Sequence, residues 1–159
     1  MTQRRPLTID CQYDQLPADC RERHEVFVDL FGQFVFWLRN WSLDASKKLI
    51  ESEESRTTVG TIRRKYYDGV AAMSLEQRQA AMLFVEGTLN CFCERLTWFL
   101  GGRSNDLRLG RTHAVRFQVQ VEIVDIESDE IVETETVSIG GKKFFGSYWG
   151  RWLNRYRNK

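Results

Sequence analysis

Two histidines are all the imidazole that this chain of 159 residues has for acid–base or metal chemistry. His24 falls in the opening turns of an apolar helical pattern, and His113 at the start of an alternating one. Neither belongs to an H-x-x-x-H or H-E-x-x-H spacing, so both read as exposed or hydrogen-bonded side chains. Cys91 and Cys93 stand two apart in a helical stretch; they point to different faces and do not easily share a metal. Cys11 and Cys20 lie nine apart near the start, which leaves a zinc site open beside plain thiols. The run GGRSNDLRLGR at 101–111 lacks the G-x-x-x-x-G-K-[ST] spacing, and it follows a helix where a phosphate loop follows a strand. It reads as a helix stop and a solvated connection, although Arg103, Arg108 and Arg111 could hold an anion. With no nucleophile, base and orienting group in a recognisable pattern, the chain reads as a protein without catalysis, resident metal or cofactor.

Charge is distributed more informatively. Between Glu122 and Glu135 there are seven acids and no Lys or Arg. A calcium loop would need the D-x-[DN]-x-[DN]-G pattern, and DIESDE has no glycine at the turn. Two readings stay open: a solvated hairpin whose acids guard its edge, or an electronegative surface aimed at a basic partner through Glu127, Asp129, Glu130, Glu133 and Glu135. The opposite charge gathers at 61–67, with Arg63, Arg64 and Lys65 beside two tyrosines, and again at 142–159. From Gly141 to Lys159 six aromatics and six basic residues occur with no acid, including Arg151, Arg155 and Arg157. These are the residue types that stack bases and neutralise phosphates in single-stranded nucleic acid. They also suit a fold: Phe145, Trp149, Trp152 and Tyr156 recur every three to four residues, and the acidic hairpin upstream offers the cations a partner within the molecule. The tail is therefore read as structural, with nucleic-acid binding as the alternative. A net charge of +1 argues against a global attraction to polyanions or membranes.

The elements that must position these groups follow from periodicity. Residues 1–18 read as an irregular lead-in, and Asp19 with Glu22 forms a capping box. Phe27, Leu30, Phe31, Phe34, Leu38 and Trp41 then mark one continuous apolar helix face, widened by Val28, Val35 and Trp37. The helix continues past Ser42 or restarts there. After a polar hinge at 55–60 and a short helical segment, Ser74 and Gln77 cap a long helix whose Leu89, Phe92, Leu96 and Phe99 are expected to be nearly solvent-free. Beyond Arg111 the period becomes two: Val115 to Ile123 reads as a half-buried strand, ESDE at 127–130 as its turn and IVETETVSI as the return. KKFFGSYW is a candidate third strand, ahead of a short helical turn. The expected fold is α+β and one domain, with residues 19–100 mainly helical, 112–150 antiparallel strands as a hairpin or three-stranded meander, and 151–159 a basic tail.

The long helix SLEQRQAAMLFVEGTLNCFCERLTWFL, two strands about an acidic turn and the W-x-x-R-Y ending at Trp152–Tyr156 resemble a diffuse set of small bacterial proteins, some of them immunity proteins of polymorphic toxin systems. The likeness spans about residues 70–159. It differs at the turn, where ESDE stands in place of a V-D-G type. The resemblance implies a stoichiometric inhibitor that binds a toxin, and no catalytic residues. The N-terminus lacks an apolar signal segment and no window approaches ~18 apolar residues, so a cytosolic protein with reduced thiols is expected.

Overall fold

The computed structural model describes residues 12–101, 108–109, 113–114, 117–139 and 143–157. Cys11, Arg103, Arg111 and Val115 lie outside them, as do the side chains of Arg108 and His113. A 3-10 turn at Tyr13–Gln15 precedes α1 (Cys20–Glu51), α2 (Glu53–Thr57), α3 (Thr61–Ala71) and α4 (Leu75–Leu100). Then come β1 (Arg108–Leu109), β2 (His113–Ala114), β3 (Gln120–Val124) and β4 (Ile131–Thr136), a 3-10 turn at Phe145–Tyr148 and α5 (Trp149–Tyr156). The fold is α+β, with helices first and two antiparallel strand pairs, β1–β2 and β3–β4, after them. Residues 143–149 form no third strand. Ser147 turns the chain by donating its N–H and its hydroxyl to the Phe144 carbonyl, and the three-to-four spacing of the aromatics then selects a helix.

The chain divides into two compact units, residues 1–37 with 93–159, and residues 38–92. In the first, Asp19 Oδ1 accepts the N–H groups of Arg21 and Glu22 and so starts α1. The inward face of α1 is not the expected one. Phe27, Val28, Val35 and Phe36 are buried, whereas Phe34 and Trp41 are nearly half exposed. Apolar residues surround most of this helix, so period alone does not choose a face; Gly32 does. A Cβ at Gly32 would lie 2.3 Å from the Trp152 indole nitrogen, so the ring packs directly on the α1 backbone. Around that contact Trp149 stacks on Phe36 at 4.8 Å, Phe145 meets Phe31 at 5.3 Å, and Tyr148 stacks on Trp152 at 5.9 Å. Trp149, Trp152 and Tyr156 of the tail are buried here.

The expected burial along α4 also fails. Phe92 is 61 % exposed and Leu96 38 %, Leu89 and Phe99 are half-buried, and the residues α4 buries are Cys93 and Thr97. Thr97 sits in the core because its hydroxyl is satisfied locally by the Glu94 carbonyl, 2.7 Å away.

The second unit buries little. Among its described residues only Arg39, Leu49 and Ile50 are buried. Arg39 donates Nε to Asn90 Oδ1 and Nη2 to Glu86 Oε1, both at 2.6 Å, and Nη1 to Asn40 at 2.5 Å. Arg56 donates to the Leu49 and Ile50 carbonyls at the end of α1 and to Asp68 on α3. Ser74 and Gln77 close the expected reciprocal capping box at the start of α4.

Candidate protein-binding surface

The β3–β4 hairpin is tied down at its base and free at its tip. Val121 and Ile123 point inward as the alternation requires, and they pack against the aromatic core. Their cross-strand neighbours are Glu135 and Glu133, which therefore share the inward face. Both acids meet α1. Arg23 forks onto Glu133, with Nε donating to Oε1 at 2.6 Å and Nη2 to Oε2, and His24 Nδ1 lies 2.5 Å from Glu135 Oε1. The Arg23 guanidinium holds the Glu133 carboxyl below its usual range, chiefly through these hydrogen bonds, and Glu133 raises Arg23 in turn. His24 is buried, and its Nε2 has no hydrogen-bond partner.

Beyond Ile123 the register slips, Val124 pairs with Ile131, and the turn is built on one carboxylate. Asp125 Oδ1 accepts the N–H of Glu127 at 3.0 Å, and the N–H and hydroxyl of Ser128 at 2.8 and 3.1 Å. These bonds lower the Asp125 pKa, the Ser128 N–H most of all. Asp129 adopts φ +59°, a left-handed conformation that aspartate tolerates better than most residues. The turn thus has a defined shape before any partner arrives. Its summit is Ile126, 98 % exposed, with Val124, Ile131 and Val132 exposed behind it and Glu127, Asp129 and Glu130 around it.

No protein-family model, curated protein or solved structure matches this chain.

The five acids singled out in the sequence fall into two groups. Glu133 and Glu135 are engaged by α1, while Glu127, Asp129 and Glu130 face solvent at the tip. The basic residues divide as well. Arg151 bridges Glu25 at 3.1 Å and Asp29 at 3.4 Å, and Arg155 reaches Asp29 at 2.7 Å. Tyr148 donates to Glu25, and Tyr156 to Asp29 at 2.6 Å. The counter-charges of Arg151 and Arg155 are thus on α1 and not, as the sequence suggests, on the hairpin. Arg157 is exposed, and so are Arg63 and Lys65; Arg64 lies 3.4 Å from Asp68. The segments 61–67 and 143–157 belong to different compact units.

Among the described residues no group of three metal-ligating side chains occurs, and no helix is long and apolar enough to cross a membrane. Sequence reasoning missed Ile126. The signal was present: with Val121 and Ile123 inward, position 126 falls on the outward phase, where an isoleucine has no core to fill.

Proposed function

We propose that this chain is a protein-binding module without catalysis, which docks a basic partner through the β3–β4 tip and acts as an immunity-type inhibitor of a toxin. One observation carries the reading: Ile126 stands fully exposed at the summit of a turn braced by Asp125 and rimmed by three solvent-exposed acids. An apolar anchor inside a polar rim is the anatomy of a binding hot spot, and a prebuilt loop loses little entropy on docking. The acids would steer the tip toward a cationic cleft, which a nucleic-acid-cleaving toxin presents to its own substrate. The resemblance of residues 70–159 to immunity proteins supplies the class of partner, and the cytosol is where such an inhibitor would meet it.

Affinity capture from the native cell supplies the partner for the test. Converting Glu127, Asp129 and Glu130 to lysine is expected to slow association about tenfold or more at low salt, with the effect shrinking toward physiological salt. Ile126→Asp is expected to act instead on dissociation, speeding it at any salt concentration. Both variants alter exposed positions and should keep the wild-type circular dichroism spectrum. A captured partner that binds both with wild-type rates would remove the hairpin tip from the interface.

A further inference from the structure

The outward face of α4 has a composition that solvent does not explain. From Gln79 to Phe92 no exposed position carries a charge, over about 20 Å of helix. Leu83 is 67 % exposed, Phe84 76 % and Phe92 61 %. A helix face that stays in water normally carries charges, and apolar surface gathered this way marks a contact. Along its centre run Ala80, Phe84, Gly87 and Cys91, spaced four, three and four apart, as in the seam of a packed helix pair. Gly87 costs the helix about 1 kcal/mol relative to alanine. Among the described residues, nothing beyond the helix's own neighbouring backbone lies within 4 Å of where its Cβ would be, so no such contact requires the glycine.

We propose that α4 packs antiparallel against α4 of a second copy, with Phe84 of each copy seated over Gly87 of the other. The complement to this face is written in the same helix. A twofold axis passing between Val85 and Glu86 sets Phe84 against Gly87 and Ala80 against Cys91, bulky against small and small against small. The same axis brings Glu76 opposite Arg95, so the charges bounding the apolar face pair across the dimer. Every contact occurs twice, and the helix dipoles oppose. Parallel pairing offers none of this: it stacks Phe84 on Phe84 and Glu76 on Glu76. A self-complementary pattern of size and charge identifies the occupant as another copy of this chain.

Sedimentation equilibrium of the full chain tests this. A monomer–dimer equilibrium at micromolar concentration is expected, and Phe84→Glu should raise the dissociation constant about 100-fold or more. Gly87→Leu should also break the dimer while leaving the monomer as stable or more so, because leucine is the better helix former. That combination separates a blocked contact from a damaged fold. Glu76→Arg and Arg95→Glu should each weaken the dimer several-fold, and the two together should restore it. A wild-type chain that stays monomeric on the order of 100 µM overturns the proposal, whatever else its α4 binds. So does a dimer indifferent to Gly87→Leu, or a charge swap that fails to rescue.

Discussion

The two compact units solve the problem of burial differently. Residues 1–37 with 93–159 close an aromatic core in which Phe27, Phe36, Phe145, Tyr148 and Trp152 are essentially solvent-free. Residues 38–92 bury Leu49 and Ile50 and otherwise rely on Arg39 and Arg56, each gathering several acceptors. Apolar burial contributes about 25 cal/mol for each Å² removed from water, while a hydrogen bond nets only about 1 kcal/mol. Stability should therefore concentrate in the first unit, and the second should open at lower free energy. The difference also bears on function: the first unit ties the base of its hairpin to α1, and the second leaves the α4 face uncovered.

The largest effect should come from the centre of the aromatic core. Trp152→Ala removes a fully buried ring that lies on the backbone at Gly32, and should cost about 3–5 kcal/mol in chemical denaturation. Losing less than about 1 kcal/mol would mean that α5 is an appendage and that the first unit is no better cored than the second.

A smaller effect is expected where the second unit depends on one ion pair. Glu86→Ala removes the carboxylate that pairs with the buried Arg39 guanidinium. Breaking a buried pair typically costs about 3–5 kcal/mol, and the partial exposure of Glu86 reduces this to about 2 kcal/mol. Hydrogen exchange should register the loss mainly as faster opening of α2 and α3. Slow exchange throughout α2 and α3 in the wild type, matching the first half of α1, would erase the contrast between the units.

The first unit also carries its own pH limits. Burial, and then hydrogen bonds to Glu25 and Asp29, push the Tyr148 and Tyr156 hydroxyls from 10.0 up to about 12. A proton held more tightly in the folded chain stabilises it fully below pH 10 and ceases to do so as pH rises through about 12. Glu133 has the opposite sign. Its pKa is lowered from 4.5, so its contribution is complete above that value and disappears as pH falls through the depressed one. Stability should thus decline at both ends, and Tyr148→Phe with Tyr156→Phe should flatten only the alkaline decline. An unchanged alkaline profile in that double variant would show that the tyrosines do not hold the tail to α1.

Legibility in the sequence tracked how strongly a local rule constrained each element. The Ser74–Gln77 box, the inward Val121 and Ile123 and the helical α+β order were readable because each depends on residues a few positions apart. The inward faces of α1 and α4 were not. Both helices are apolar around most of their circumference, and the deciding contacts, Trp152 on Gly32 and the burial of Thr97, involve partners outside the local pattern. The tip was half readable: its acids stood out, while the anchoring of Glu133 and Glu135 depended on α1, about 110 residues earlier. Charge is visible in a sequence, but its partner is not.

The smallest expected effect is the one that separates pattern from structure most cleanly. Spacing alone puts Phe92 in the core, where Phe→Ala would cost about 3–5 kcal/mol. The structure leaves the ring 61 % exposed on α4, so the substitution opens no cavity and removes only a minor part of its burial. Alanine is also the stronger helix former, by a few tenths of a kcal/mol. Phe92→Ala should consequently destabilise the chain by less than about 1 kcal/mol, measured by denaturation at a concentration low enough to keep it monomeric. A loss near the core value would mean that Phe92 turns inward and that the uncharged face of α4 is narrower than proposed. In that case the contact would narrow to the seam of Ala80, Phe84, Gly87 and Cys91.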